Sequence, residues 1–353
     1  MSRRPAVFPF PLRLVLAVLV LAVGWLACAA PPEAPPDAAG DAAAESAATP
    51  AEPVAWALAI HGGAGVIPKD LPDEDKQGYY ADLEAALALG KERLERGDAA
   101  LDVVEVVIQA LEDSPRFNAG KGAVFTHDGR NELDAAIMDG TTGACGAVAR
   151  VTTVKNPITL ARGVMERSKH VFMVGDGAEV FADEMGLERV EPEYFYTERR
   201  WQALQKAIER EEAEGAGKHG TVGCVVLDRE GRLAAGTSTG GLTNKRFGRI
   251  GDVPVFGAGT WADERVAVSC TGKGEEFIRH AVAHSVAARL EHTDASLGEA
   301  AQAVIHETLA EGDGGLIAVG ADGSIALEFN TPGMFRGAAD ANGRFDVAIW
   351  ENE

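Results

Sequence analysis

From Val54 onward, apolar residues recur in two rhythms that take turns along the chain. Leu83, Leu87, Gly90 and Leu94 keep helical spacing until Gly97. Leu101, Val104, Ile108 and Leu111 repeat it in a second helix that Asp98 is placed to cap. Short continuous or alternating apolar runs predict strands. The first is Val54–Ile60, running into a turn over His61–Gly65. Three hairpins are expected: Glu132–Gly140 with Ala144–Val151, Val222–Leu227 with Leu233–Ser238, and Gly315–Gly320 with Ser324–Phe329. Val171–Val174 is a further short strand. Helices are predicted from Asn156-Pro157, over Ala178–Met185 ended by Gly186, over Glu275–Leu290 and over Leu297–Leu309. Helix pairs alternating with antiparallel hairpins predict an α+β domain over 54–353, with two sheets face to face between helical layers.

One stretch breaks the rhythm. After Tyr196 the pattern decays into a charged run, Arg199 to Gly217, read as a polar connection with few apolar anchors. It then drops through Gly220-Thr221 straight into the apolar run Val222–Leu227. A cut between Gly220 and Thr221 would make sense of this, because Thr221 would become a new N-terminus carrying a hydroxyl and a free α-amine. A threonine hydroxyl needs an adjacent base to become a nucleophile, and an N-terminal threonine brings its own. An α-amine has a pKa of about 7.7–8.0, so roughly a tenth is unprotonated at neutral pH. On this stretch alone, a threonine that simply opens a strand is the better account.

The N-terminus belongs to another register. Arg3, Arg4 and Arg13 precede the apolar run Leu14–Leu26, followed by Ala27 and Cys28. This predicts a secretory signal over 1–27 of lipoprotein type, with Cys28 as the lipid-bearing residue. Thirteen positions are too few to span a bilayer comfortably. Residues 28–53, rich in Ala and Pro, are expected to be a disordered tether between membrane and folded domain. Removing 1–27 takes three arginines and no acid, so the net charge of −21 becomes −21 − 3 = −24. A surface that acidic argues against nucleic acid and polyanion partners. Cys145, Cys224 and Cys270 read as buried free thiols, and no cysteine pair has metal-ligand spacing.

Five segments then raise the reading of Thr221 above a strand start. They are Ile60-His-Gly-Gly-Ala-Gly65, Phe117-Asn-Ala-Gly120, Arg232–Gly241 (which contains Gly-Thr-Ser-Thr-Gly-Gly), Thr243–Asp252, and Val268-Ser-Cys-Thr-Gly-Lys-Gly-Glu275. With Gly220-Thr221 they resemble, in content and order from about Val54 to Glu353, the plant-type L-asparaginase and isoaspartyl peptidase family of N-terminal-nucleophile hydrolases. The resemblance implies a four-layer αββα sandwich, self-cleaved into 54–220 and 221–353, that hydrolyses asparagine or β-aspartyl peptides. It implies Thr221 as nucleophile, Thr239 as the threonine that orients it, and Asn118 hydrogen-bonding nearby. Thr271 and Gly272 would be the oxyanion donors, and the glycine loop would hold the site in shape. Arg249 would grip the substrate α-carboxylate with a two-pronged fork, and Asp252 would meet the α-ammonium, helped by the Gly272 and Gly274 backbone. No cofactor is implied for catalysis. A structural sodium ion would sit on backbone oxygens of Leu111, Glu112, Ser114, Phe117, Ala119 and Lys121. The family further suggests a dimer of cleaved αβ units.

Several competing patterns carry less. The glycine turn after the first strand lacks the lysine and spacing of a phosphate loop. Gly236-Thr-Ser-Thr-Gly240 matches a nucleophile elbow, but Gly241-Leu-Thr-Asn-Lys is a poor helix start, so Ser238 is rejected. His280 and His284 lack the glutamate of a zinc-protease helix, and Lys273 and Glu275 flank the oxyanion segment, where Lys273 could alter pocket charge. Two other functions stay in view. A glycosylasparaginase usually has Asp where this chain has Gly220. A lipid-tethered binding protein on the same fold would have no reason to split.

Overall fold

The computed structural model describes residues 56–211 and 220–351. The predicted signal, Cys28 and the tether lie outside the described residues. The strands in chain order are β1 (Ala57–Gly65), β2 (Leu133–Asp139), β3 (Cys145–Val151), β4 (Phe172–Val174), β5 (Val222–Leu227), β6 (Leu233–Thr239), β7 (Thr260–Ala262), β8 (Val266–Gly272), β9 (Gly314–Gly320), β10 (Ile325–Phe329), β11 (Gly333–Asp340) and β12 (Phe345–Ala348). The helices are α1 (Asp73–Arg96), α2 (Ala100–Asp113), α3 (Pro157–Arg167), α4 (Asp176–Glu184), α5 (Glu198–Glu211), α6 (Gly274–His280), α7 (Val282–His292) and α8 (Leu297–Gln302). One sheet runs β12-β11-β1-β5-β6-β2-β3-β4, antiparallel except where β3 meets β4. The other runs β10-β9-β8-β7 and is antiparallel throughout.

Period-two alternation sorts the strands' side chains into separate cores. Leu58 and Ile60 on β1, with Val222, Cys224 and Val226 on β5, pack against α1 and α2, while α3 covers β2, β3 and β6 in the same core. Val266, Val268 and Cys270 on β8, with Leu316 and Ala318 on β9, pack against α7 and α8. The intervening residues Ala57, Ala59, Val225, Leu227, Ala267, Ile317 and Val319 form a third cluster where the sheets meet. Each fully buried Val, Leu or Ile contributes roughly 1.5–3 kcal/mol, and a one-residue slip would send every one of them to the wrong face. Register is therefore strongly fixed, and with it the side on which polar residues near the strand ends emerge.

Several expectations need correction. The run after Tyr196 is not a plain connection: Glu198–Glu211 is a helix, held by Trp201, Leu204 and Ile208 at helical spacing, with Leu204 buried. Asp98 does not cap α2. It pairs with Arg93, while Asp228, distant in sequence, accepts from Ala100 N at 2.9 Å. Buried Asp228 also binds Glu230 N, Arg232 N and Arg232 Nε, so the turn between β5 and β6 is tied to the start of α2. The segment His61–Gly65 is no free turn but the end of β1, bulged between His61 and Gly63 and paired with β11. The helix expected over Glu275–Leu290 breaks at Ala281, whose φ of 46° separates α6 from α7. That over Leu297–Leu309 widens after Gln302 into a π turn. Cys145 is only partly buried, unlike Cys224 and Cys270.

Candidate active site

The same alternation carries a polar column onto the inner face at one end of the gap between the sheets. His61 on β1, Thr221 entering β5, Thr237 and Thr239 on β6, and Ser269 and Thr271 on β8 continue the faces that bear Ala59, Val225, Ala235 and Ala267. All six are buried. Glycine at 223 lets the column close, because a Cβ there would lie 2.0 Å from Ser269 Oγ and 2.3 Å from His61 Nε2.

At the centre, the Gly220–Thr221 peptide is held by three groups. Thr221 Oγ1 lies 2.8 Å from Gly220 O and 3.2 Å from Thr239 Oγ1. Gly220 O also accepts from Asn118 Nδ2 at 2.7 Å and from Thr239 Oγ1 at 3.1 Å. A hydroxyl has one proton. With Thr239 donating to Gly220 O, Thr221 donates to Thr239, giving a relay from the Thr221 oxygen to the carbonyl beside it. Asn118 cannot swing away: its second amide hydrogen is on Gly241 O at 2.8 Å, and its Oδ1 accepts from Val124 N at 2.9 Å.

His61 fixes the other side of Thr221. Its Nδ1 is 3.1 Å from Thr221 O, which can only accept, so the proton sits on Nδ1 and Nε2 accepts from Ser269 Oγ at 3.0 Å. Burial pushes the imidazole pKa down to about 3, only partly offset by the bond to Thr221, so the ring is neutral at working pH. Beyond Ser269 the chain continues with Thr237 donating to Ser269 (2.7 Å) and Thr260 donating to Thr237 (2.7 Å); Thr260 Oγ1 also lies 3.1 Å from Val253 O, next door to Asp252. Thr271 Oγ1 accepts from Ala64 N at 3.1 Å, which keeps its own hydrogen available to donate.

Arg249 and Asp252 stand in one small pocket with Thr221, Thr239, Gly251 and Gly272. Asp252 is buried, and among the described residues its Oδ2 has no hydrogen-bond partner. A carboxylate oxygen in that state costs free energy unless a cation arrives, as an α-ammonium would. Burial raises the Asp252 pKa to about 7, against the lowering pull of its own backbone N–H and of Arg249. Gly274 must be glycine for the pair to approach, since a Cβ would sit 2.7 Å from Arg249 Nη2 and 2.9 Å from Asp252 Oδ1. The free fork expected of Arg249 is corrected in one respect. Its Nε and Nη2 already bind the Glu275 carboxylate at 2.9 Å each, which aims the guanidinium and leaves the Nη1–Nη2 edge for a ligand.

The rejected patterns find other work. Ser238 faces away from its neighbours Thr237 and Thr239 and donates to Glu112 Oε1 at 2.6 Å. Glu112 also accepts from Ile158 N at the start of α3, and burial raises its pKa to about 8. His284 packs edge-on against Trp261, and His280 lies beside Glu276. Among the described residues no group of three or more His, Cys, Asp or Glu could hold a metal ion. Sequence reasoning took His61 only as part of a glycine turn and missed Thr237, Thr260, Ser269 and the aiming role of Glu275. Strand parity was the signal for the hydroxyls, which share a face with Thr221.

Fold and site together define an amide-bond hydrolase. The chain belongs to the asparaginase family, whose sequence model, described as "Asparaginase", matches residues 54–349. It is 46% identical over 323 residues to "Probable isoaspartyl peptidase/L-asparaginase 2" of Arabidopsis thaliana, covering 84% of this chain and 99% of that protein. It is 48% identical over 296 residues to "Isoaspartyl peptidase" of Escherichia coli K12, covering 79% and 91%. "Plant-type L-asparaginase" of Thermococcus kodakarensis is 41% identical, covering 79% and 94%.

Proposed function

We propose that the chain is a self-cleaving isoaspartyl peptidase with L-asparaginase activity, and that Thr221 serves both reactions. The observation that carries this is the Thr221 hydroxyl against Gly220 O, a carbonyl already bridged by Asn118 and Thr239. In the first reaction Thr221 Oγ1 attacks the Gly220 carbonyl carbon. Negative charge grows on Gly220 O, where Asn118 and Thr239 donate, and the C–N bond breaks to leave an ester and a free Thr221 amine. Water then hydrolyses the ester. In the second reaction that amine is the general base for the same hydroxyl. Thr221 attacks a β-aspartyl carbonyl held by Arg249 and Asp252, the oxyanion falls to the Thr271 hydroxyl and Gly272 N–H, and the amine or ammonia departs before water releases aspartate. An oxyanion donor of this kind is worth about 3–4 kcal/mol.

The reading extends to the wider molecule. We take the helix–sheet–sheet–helix packing as a four-layer αββα sandwich, and the active particle as a dimer of cleaved units. Residues 1–27 would export the protein and Cys28 would carry the lipid, with 28–53 as tether. A sodium ion would sit in the loop after α2, where the backbone is tightly packed: the carbonyl oxygens of Glu112 and Phe117 lie 2.3 Å and 2.0 Å from where Cβ atoms on Gly120 and Gly122 would stand. These are hard oxygen donors at the negative end of a helix. Sodium there would stabilise the loop that carries Asn118 and take no part in the chemistry. Exchanging sodium for a bulky organic cation is expected to lower Tm by a few degrees, and an unchanged Tm removes the ion from the account.

The decisive assay compares purified enzyme on β-aspartyl-leucine, asparagine and an asparagine-linked sugar. Turnover of the first two and not the third is expected. Preference for the sugar conjugate would assign the chain to glycosylasparaginase chemistry, and turnover of none would make it a binding protein.

A further inference from the structure

We propose that Ser269 and Thr237 are positioning residues for Thr221, acting through His61. Hydroxyls from both sheets aim one imidazole so that its Nδ1–H holds the Thr221 carbonyl, and this hold matters most once the Gly220–Thr221 bond is cut. The inference rests on the peptidase reading above and concerns the second of its two reactions.

Thr221 stands one residue ahead of β5, outside the ladder that begins at Val222. Beside it, β1 pairs with β5 only as far as His61, opposite Gly223, and is bulged against β11 between His61 and Gly63. A side chain serves where the ladder ends: His61 Nδ1 lies 3.1 Å from Thr221 O. In the uncut chain Thr221 is also held from its other end. Gly220 O accepts from Asn118 Nδ2 at 2.7 Å and from Thr239 Oγ1 at 3.1 Å, and the peptide bond passes that hold on to Thr221. Cleavage breaks the link. Of these polar contacts, the freed residue keeps the His61 bond to its carbonyl and the approach of its hydroxyl to Thr239 Oγ1 at 3.2 Å. A pinned carbonyl fixes the Cα from which both the amine and the hydroxyl hang.

An imidazole holds a carbonyl only when it stands in the right plane with its hydrogen on the right nitrogen. His61 and Thr237 belong to one sheet, Thr260 and Ser269 to the other, and all four are fully buried. Ser269 Oγ lies 3.0 Å from His61 Nε2, with Thr237 Oγ1 2.7 Å behind it and Thr260 Oγ1 2.7 Å behind Thr237. With Thr260 donating to Thr237 and Thr237 to Ser269, the Ser269 hydrogen goes to Nε2 and the ring's own hydrogen stays on Nδ1. Run the other way, Thr260 would donate to Val253 O at 3.1 Å, and a bare Nδ1 would face Thr221 O, acceptor against acceptor. Both directions make the same number of hydrogen bonds, and only the first avoids that opposition. A buried network with every member satisfied is rigid, and one missing hydroxyl leaves a ring nitrogen unpaired. Ser269→Ala removes a single oxygen, and with it the second point at which the ring is held.

The test separates turnover from self-cleavage. Ser269→Ala is expected to lower kcat for asparagine and β-aspartyl-leucine about tenfold, with KM shifted by less than about twofold because Arg249 and Asp252 are untouched. A gel time course should show the precursor splitting within about twofold of the wild-type rate, since Asn118 and Thr239 still hold that peptide. Thr237→Val is expected to repeat the pattern, and Thr237→Ser, which keeps the hydroxyl, to regain most of the loss. Nitrogen NMR of isotope-labelled histidine, with the His61 signals assigned by their absence in His61→Asn, should find hydrogen on Nδ1 and none on Nε2. Unchanged kcat in both Ser269→Ala and Thr237→Val, equal slowing of cleavage and turnover, or hydrogen on Nε2 overturns the positioning role and leaves the peptidase reading intact. Wild-type enzyme that turns over neither substrate overturns that reading, and this inference with it. If Ser269→Ala does not fold, Thr237→Val against Thr237→Ser decides.

Discussion

Replacing Thr221 with alanine leaves one full-length band on a denaturing gel and no measurable turnover of asparagine or β-aspartyl-leucine. On the proposed scheme one substitution removes two activities because a single oxygen performs both: the hydroxyl that lies 2.8 Å from Gly220 O would be the one the freed amine later activates. Asn118 and Thr239 keep their hydrogen bonds to Gly220 O in the variant, but nothing attacks the carbon of that carbonyl. Loss of a nucleophile lowers turnover by roughly 10⁴-fold or more in comparable hydrolases, which takes the signal to background. In the unmutated protein a second fragment is expected that begins Thr-Val-Gly-Cys and has 353 − 220 = 133 residues, which N-terminal sequencing would read directly. Thr221→Ser keeps a hydroxyl and retains slow processing. Normal cleavage in Thr221→Ala would place the nucleophile elsewhere and end the scheme.

Much of this site was open to reading along the chain because its groups sit in short segments with tight local constraints. Thr221, Thr239 and Thr271 lie at strand ends where apolar alternation turns polar, and Arg249 and Asp252 share one loop. What escaped depends on partners far away in sequence. Asp98 had the right residue type to cap α2, yet Asp228 takes the role from 128 residues away, and no local rule ranks a near acid below a remote one. The helix Glu198–Glu211 was read as a charged run because it has few apolar anchors. Its arginines instead reach the backbone of the loop that bears Asn118, as when Arg199 donates to Arg116 O at 2.6 Å. The strands Gly333–Asp340 and Phe345–Ala348 went unpredicted. Gly333–Asp340 carries glycines and a buried arginine, and finds its place by pairing with β1. His61 needed the fold outright, since neither its tautomer nor its neutrality exists without Thr221 O on one side and Ser269 on the other.

The head-group pair gives the other large effect and ties it to pH. Asp252→Asn is expected to lower kcat/KM for asparagine by roughly 10²–10³-fold, since breaking one side of a buried charge pair costs about 2–5 kcal/mol. Arg249→Lys raises KM sharply while Thr221 still processes, because an ammonium cannot keep the Glu275 carboxylate and present a planar edge to the substrate together. The sign of the pH effect follows from burial. Asp252 is protonated below about 7, so if it meets the α-ammonium as proposed it would hold it only above that value, and KM is expected to fall as pH rises through it. The Thr221 amine, with a reference pKa of about 7.7–8.0, must also lose its proton, so log kcat/KM climbs with a limiting slope near two on the acid side. Asp252→Asn removes one group and leaves a slope near one. Stability moves the opposite way. A carboxyl whose pKa is raised on folding keeps its proton when the unfolded chain has lost it, so the folded state loses stability as pH rises from about 4 to about 7. Asparagine carries no such penalty, and Asp252→Asn should therefore melt higher than the unmutated protein at pH 8 while working far worse. A variant with unchanged slope and a lower Tm would show that Asp252 merely supports the loop, and would take the α-ammonium away from it.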